Sequence, residues 1–377
     1  MSLRRTELFA AVPPGLEAVC AAEIAALGIE NTRIFPGGVS FEGDFETVCL
    51  ANLALRTASR VLLRIDRFFA VHLAQLHKKA GRIPWEEYLP ADRSVEVRAA
   101  CRKSRIYHSA AAAERVAKGI AERLGLTELP GFGEGAPDEA GGATCILLRI
   151  ERDHCTVSVD TSGAHLHRRG YRTRTGIAPL RETLAASVLR LCEWSPDAAA
   201  LVDPMCGTGT FPIEAALAAA RIPPGRQRTF GFEALPFHKA DILSSVKERL
   251  ETGIRTPPRP IIASDISEDA VRATRDNAEH AGVLDFIETR TADAATLSVC
   301  PVGAFVVCNP PYGKRIGERR RLRELYLSLG EAVRGIDDAR LAVVTDDPSF
   351  AAATGADFSL VSAPFPNGGI RVRVYST

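Results

Sequence analysis

Leu201-Val202-Asp203-Pro204-Met205-Cys206-Gly207-Thr208-Gly209-Thr210-Phe211 passes from an apolar run through a Gly-x-Gly turn into helical spacing around Ile213 to Leu217. Strand, glycine turn and helix in that order make the first unit of an α/β sheet. Glycine lets the backbone pass close to a ligand, and the helix's free N–H groups face it. The third glycine of the dinucleotide fingerprint is missing, because Thr210, Phe211 and then Pro212 and Ile213 follow the second one, so nicotinamide cofactors are disfavoured. Gly-x-Gly also occurs in purely structural turns, so its meaning rests on the downstream sequence.

From about Thr161 onward the chain alternates strand and helix, the pattern of a parallel sheet. The strand candidates are Ala200 to Asp203, Ile261 to Asp265, Phe286 to Thr289, Ala304 to Cys308 and Leu341 to Thr345. A last pair, Phe358 to Ala363 and Ile370 to Tyr375, flanks the hairpin signal Asn367-Gly368-Gly369. Asp265 closes the second strand, where a carboxylate can accept both hydroxyls of a ribose. About twenty residues usually separate the loop from that acid; here Arg221 to Pro260 intervenes and reads as an insertion. Asp293, after the third strand, is placed to accept from an adenine amino group. Each aspartate alone also suits a helix cap or a solvated loop.

Asn309-Pro310-Pro311-Tyr312 succeeds the apolar run Ala304 to Cys308, at a strand end where α/β enzymes keep their chemistry. An amide side chain and a carbonyl fixed by proline can both accept from an NH2 group, while an aromatic ring stacks on the plane behind it. Such a clamp holds a planar amine opposite an electrophile. The order glycine loop, ribose acid, adenine acid and amine clamp is mutually supporting.

Before Thr161 the pattern is α+β. Leu8 to Val12 is a strand, Leu16 to Leu27 a helix ending at Gly28, Gly37 to Gly43 an edge strand, Thr47 to Leu55 a helix and Arg60 to Phe69 a strand. A second α+β unit has strands at Ser94 to Ala100, Thr144 to Arg152 and Cys155 to Asp160, a helix at Ser109 to Leu124 and a glycine- and proline-rich loop from Pro130 to Gly142. Basic residues gather with aromatic ones: Arg98, Arg102, Lys103 and Arg105 beside Tyr107 and His108, and His167, Arg168, Arg169, Arg172 and Arg174 near the unit's end. Arginine with aromatic neighbours suits phosphates and unpaired bases, against the plain reading of a solvated charged face. Lys314, Arg315, Arg319, Arg320 and Arg321 lie directly after the clamp, which favours contact with a phosphate backbone.

The 377 residues suit two or three domains, and 46% hydrophobic with 25% charged residues is ordinary for a globular protein. Apolar runs are short and alanine-rich, so no membrane span is expected, and the start has no secretory pattern, which makes cytoplasm the default. The formal charge of +1 argues against a uniformly basic nucleic-acid glove but allows a local basic face. Nine scattered cysteines without a C-x-x-C pair read as buried small hydrophobes, with neither a disulfide framework nor a metal site expected.

On these residues the chain resembles the class I S-adenosylmethionine-dependent methyltransferases, and Asn309 to Tyr312 is similar to the motif of their amino-methylating members. That motif serves adenine N6, cytosine N4, guanine N2 and protein glutamine, so it names the acceptor atom and not the substrate. The run from Ser158 to Arg172, with Gly176 to Ala186, resembles the join between a THUMP RNA-binding domain and a methyltransferase domain. Leu8 to Leu27, Gly37-Gly38-Val39 and Ala58-Ser59-Arg60 resemble the same family. The likeness covers essentially the whole chain and is strongest to the first methyltransferase half of the bacterial 23S rRNA guanine-N2 enzymes. The larger members carry a second methyltransferase half, and since this chain stops after its hairpin that activity is expected to be absent from it.

The resemblance implies a ferredoxin-like unit at 1–65, a THUMP domain at 66–163 and a seven-stranded Rossmann-like α/β methyltransferase domain at 164–377. It implies Asp203, Pro204, Met205, Cys206, Gly207, Thr208, Gly209, Asp265, Ile266, Asp293, Ala294 and Asn309 around S-adenosylmethionine, which leaves as S-adenosylhomocysteine. Asn309, Pro310, Pro311 and Tyr312 are then the catalytic clamp. Arg102, Lys103, Arg105, Arg168, Arg169, Arg172, Lys314 and Arg315 are then the RNA contacts, with no obligate protein partner. No strong general base is required, and the target guanine has to be unpaired or flipped to enter such a pocket. A tRNA guanine-N2 methyltransferase shares all of these features. A protein-glutamine or DNA-adenine enzyme has no use for the THUMP-like part, and a non-catalytic RNA-binding assembly factor would lose the clamp or glycine loop.

Overall fold

The computed structural model describes residues 3, 5–91, 94–135, 142–176, 180–297, 300–310, 316–347, 354, 358–367 and 369–377, with the backbone alone for 316–319 and 321. Contacts divide the chain into two compact units. One takes Met1–Val12, Ala21–Leu166 and Arg228–Glu248; the other takes Pro13–Cys20, His167–Gln227 and Arg249–Thr377.

In the first unit, strands β1 (Thr6–Ala11), β2 (Arg33–Phe35), β3 (Gly38–Gly43), β4 (Arg60–Phe69), β5 (Val95–Arg102), β6 (Gly131–Glu134), β7 (Thr144–Glu151) and β8 (His154–Asp160) form one sheet in the order β2-β3-β1-β4-β8-β7-β5-β6. The stretch expected as an edge strand, β3, is flanked by β1 and β2, so the three exposed residues of β2 take the edge instead. The glycine-rich loop after Pro130 contains β6, which runs parallel to β5. Strand β4 joins everything. Its start pairs with β1, and from Leu62 to Phe69 it pairs with β8, with a bulge between Arg64 and Asp66. The sheet therefore runs unbroken past residue 65.

Buried polar groups are matched at the β4 and β8 ends. Arg60 pairs with Asp160 and also donates to the Gly163 carbonyl at 2.6 Å. Asn52 donates to Thr161 Oγ1 at 2.9 Å and accepts from Ser162 Oγ at 2.6 Å. The stretch read as an insertion supplies Arg228–Glu248 to this unit. Phe232, Phe237 and Val246 are buried there, and the Phe232 ring meets Phe45 edge-on at 5.7 Å. Gly231 approaches Gly163 so closely that a Cβ on it would sit 2.9 Å from the Gly163 nitrogen.

In the second unit, β9 (Leu201–Asp203), β10 (Ile261–Asp265), β11 (Ile287–Thr291), β12 (Phe305–Cys308), β13 (Arg340–Thr345), β14 (Ser359–Leu360) and β16 (Ile370–Ser376) lie in the order β11-β10-β9-β12-β13-β16-β14. Strands β9 to β13 are parallel and β16 is antiparallel to β13. The parallel strands β9, β10, β12 and β13 read as mostly apolar runs because both faces are covered, whereas β11 at the sheet edge reads Ile-Glu-Thr-Arg-Thr. Leu201, Ala263, Phe305, Val307 and Ala342 pack with Leu184, Val188 and Ile213 of two helices. Val202, Ile262, Val306 and Val343 pack with Tyr326, Leu329 and Val333 of the helix Ile316–Arg334.

The final strand pair differs in detail from the expected one. The stretch Phe358 to Ala363 keeps only β14, and a separate β15 (Phe365–Asn367) makes the hairpin, with Asn367 opposite Ile370 and Gly369 at φ 84°. Both arms pair with β16, the longer partner. Among the described residues no helix is long and apolar enough to cross a membrane.

Candidate active site

Strand order reverses at β9, whose neighbours are β10 and β12, and crevices in open α/β sheets form at the carboxyl ends of strands at such a point. Asp203 ends β9 with 1% exposure and accepts from the Met205 N–H at 3.1 Å. Burial pushes its carboxyl well above the usual range; the Asp265 charge adds to this, and the Met205 N–H opposes it. Cys206 N–H donates to the Ser264 carbonyl of β10 at 2.9 Å, tying the loop to the neighbouring strand. Gly209 stands at φ 85°, and a Cβ there would meet the Thr274 side chain at 2.8 Å, so both conformation and space require glycine. The helix Thr210–Ala219 starts immediately after it, with its first-turn N–H groups at the crevice end.

Asp265 ends β10. Its Oδ2 accepts from the Gly207 N–H at 3.0 Å and its Oδ1 from the Ser267 N–H at 3.0 Å. A carboxylate offers about four lone-pair sites, so each oxygen keeps capacity for a ribose hydroxyl. Ile266, next to it, is 73% exposed, an apolar side chain suited to cover the face of a flat ring. Asp293 caps the short helix Ala294–Thr296, with Oδ1 accepting from the Ala295 N–H at 2.9 Å. The cap fixes this carboxylate in place and uses one of its oxygens. These positions fit an adenosyl group with two ribose hydroxyls.

Asn309 and Pro310 leave the end of β12, the other neighbour of β9; Asn309 is half-buried and Pro310 buried. The remaining clamp residues Pro311 and Tyr312, and the basic pair Lys314 and Arg315, lie outside the described residues. Arg320, in the next helix, is exposed and pairs with Glu324 at 3.2 Å.

Two arginines expected to touch RNA turn inward. Arg169 is 3% exposed and forms a two-pronged pair with Glu214, at 3.3 and 3.2 Å, with Tyr171 donating to the same carboxylate. Arg172 donates to Glu182 at 2.7 Å, to Thr208 Oγ1 at 3.0 Å and to Thr210 Oγ1 at 2.8 Å. Both were legible only as charge, and charge alone does not tell a solvated arginine from one that satisfies a buried carboxylate. Arg168 is exposed.

Sequence alone did not single out two residues that hold the loop. Thr274 and Asn277 lie on the helix Glu268–His280, buried on the same face as Val271 and Ala278. Thr274 donates to the Gly207 carbonyl at 3.0 Å and Asn277 to the Thr208 carbonyl at 2.9 Å. A polar residue on an apolar helical stripe was the available signal, since it has to find a partner.

In the first unit Arg102, Lys103 and Arg105 are exposed, and Tyr107, 71% exposed, lies tilted against His108 with ring centroids 4.3 Å apart. The turn at Arg152 and Asp153 joins them: Arg152 N–H donates to the Arg102 carbonyl at 3.2 Å and Arg105 N–H to Asp153 at 2.7 Å. Exposed Phe69 and His154 pair edge-on at the same turn, their centroids 5.5 Å apart. Cations and aromatic rings thus share one end of this sheet. Among the described residues no group of three or more His, Cys, Asp or Glu is arranged to hold a metal ion.

Three families match the chain in succession: the RlmL ferredoxin-like domain over residues 7–62, the THUMP domain over 70–160, and the RMKL-like methyltransferase domain over 169–371. "Ribosomal RNA large subunit methyltransferase K/L" of Syntrophotalea carbinolica is 39% identical over 93% of this chain and 50% of its own. The chain thus spans half the length of that relative. "Putative RNA methyltransferase YpsC" of Bacillus subtilis is 34% identical over 99% of this chain and 96% of its own. The crystal structure of SMU.472 complexed with SAH superposes with a TM-score of 0.86 at 28% identity, covering 99% of this chain and 98% of that one.

Proposed function

The chain belongs to the RMKL-like methyltransferase family, carrying RlmL ferredoxin-like and THUMP domains ahead of the methyltransferase domain, and from that premise we propose that it methylates the exocyclic N2 of a guanine in RNA, with 23S rRNA as the substrate and S-adenosylmethionine as the donor. It acts in the cytoplasm and without an obligate protein partner.

The observation that carries this reading is the placing of Asn309 and Pro310 at the end of β12, beside the β9 end that begins the glycine loop. When bound, S-adenosylmethionine supplies an electrophilic methyl group. Asp203 to Gly209 would hold its methionine side, Asp265 its ribose hydroxyls, and Ile266, Asp293 and Ala294 its adenine. Asn309 Oδ1 and the Pro310 carbonyl would accept hydrogen bonds from the two N–H groups of the guanine amine, and Tyr312 would stack on the base. This arrangement works by positioning and by excluding water. The amine sheds its proton late, so no side chain has to act as a strong base beforehand.

The first unit holds the RNA. The exposed Arg102, Lys103 and Arg105 supply phosphate contacts, and Tyr107 a stacking face for an unpaired base. The ribosomal substrate is favoured by the name of the Syntrophotalea relative.

The test is Asn309→Ala in the purified chain. Transfer of a labelled methyl group to deproteinised rRNA should fall on the order of a hundredfold or more, as misplacement of a reacting group does. Binding of S-adenosylhomocysteine should stay near the wild-type value. Retained turnover would sink the assignment of the clamp.

A further inference from the structure

Asn277 is fully buried in the second unit, and every polar atom of its amide is used. Its Oδ1 accepts from the backbone N–H groups of Thr173 and Arg174, at 2.9 and 3.0 Å. Its Nδ2 donates to the carbonyls of Thr208 and Arg174, at 2.9 and 3.1 Å. One turn earlier on the same helix, Thr274 donates to the carbonyl of Gly207 at 3.0 Å. Two consecutive carbonyls of the glycine loop are therefore drawn onto one helix. In a planar trans peptide the N–H points opposite to the carbonyl, so the Gly207–Thr208 unit turns its N–H away from that helix.

The other side of the loop is held by the segment Asn277 also clips. Arg172 spans Thr208 Oγ1, Thr210 Oγ1 and Glu182, and its neighbours Thr173 and Arg174 end on the Asn277 amide. One side chain thus joins the loop and the segment, and moving either breaks bonds to the other.

We propose that Asn277 is a positioning residue for the methyl donor: through the Thr208 carbonyl and the Arg172–Arg174 segment it holds the Gly207–Gly209 loop in the one arrangement that receives the donor. The inference rests on the reading that this loop holds S-adenosylmethionine.

The informative variant is Asn277→Asp, which keeps the shape and the acceptor toward Thr173 and Arg174. It replaces the donor by an oxygen facing two carbonyls. Ionised, that oxygen repels both; protonated, it can donate to one. Burial and the facing carbonyls hold such a carboxyl above its ordinary value. The charged and titratable groups around it are Arg174 with Asp276, Arg172 with Glu182, Asp265 beyond Gly207, and His280 at the end of the helix. All of them are present in the wild type, whose profile is therefore the reference.

Calorimetric binding of S-adenosylhomocysteine to the full chain reads the effect. At about pH 8 Asn277→Asp should bind on the order of tenfold or more weakly than wild type, and the gap should narrow toward about pH 6. A role confined to general stability would lower the unfolding temperature without that pH-dependent gap. Wild-type affinity in a folded Asn277→Asp overturns the inference alone. Failure of the wild type to bind overturns the reading beneath it as well. If Asn277→Asp does not fold, Thr274→Val takes its place. It removes the donor to Gly207 at nearly constant volume and should weaken binding at every pH, and unchanged binding would overturn the proposal.

Discussion

The backbone N–H of Gly207 donates to Asp265 Oδ2 across 3.0 Å, so the acid that ends β10 is also a strut of the glycine loop. Its two roles can be separated. Asp265→Ala removes the strut and the ribose acceptors together, whereas Asp265→Asn keeps one acceptor and loses the charge. Binding of S-adenosylhomocysteine should weaken on the order of a hundredfold for the first and about tenfold for the second, since hydrogen bonds to charged groups contribute about 1.5–3 kcal/mol each. Equal loss in both would mean that Asp265 serves only as a ribose ligand.

Arg105 and Arg169, alike as sequence, should behave as opposites. Arg105→Ala, at an exposed position, is expected to lower RNA affinity, leave folding intact and reduce the salt slope of binding by about one. Arg169→Ala strands the buried Glu214 carboxylate and should cost about 3–5 kcal/mol of stability. Denaturant unfolding and filter binding across a salt series check both. An Arg169→Ala chain of wild-type stability would contradict the burial of that pair.

Burial pushes the thiols of Cys49, Cys145 and Cys155 up to about 12 and those of Cys192 and Cys300 to about 11. The thiolate is the reactive form. At neutral pH these five should therefore resist iodoacetamide in the native chain and react once it is unfolded, with alkylation rising only as pH approaches those values. Peptide mapping by mass spectrometry reads each site. Fast native labelling of Cys300, the most exposed of the five, would contradict its shift.

Much of the second unit was legible because its central strands β9, β10, β12 and β13 are short, mostly apolar runs. Ile261 to Asp265 matches β10 to the residue, and in the first unit Arg60 to Phe69 and Ser109 to Leu124 match equally well. Strand β6 was hidden because Gly131 and Gly133 carry no side-chain alternation, and its pairing with β5 depends on a partner some thirty-five residues earlier in the chain. The continuity of the first sheet through β4 was equally hidden, since a strand's second partner leaves no local signal. In the site, the loop, Asp265 and Asn309 were visible as types at strand ends. The inward turn of Arg169 and Arg172, and the bonds of Thr274 and Asn277, depend largely on residues far away along the chain and had no local signature.

Nucleoside mass spectrometry of separated 23S rRNA and tRNA, from a strain lacking this gene and complemented with the wild type or with Asn309→Ala, reads the methylated guanine itself. N2-methylguanosine should be lost from 23S rRNA alone, restored by the wild type and not by Asn309→Ala. Loss from tRNA instead would move the substrate; N2-methylguanosine unchanged in both RNAs, or restored by Asn309→Ala, would contradict the account.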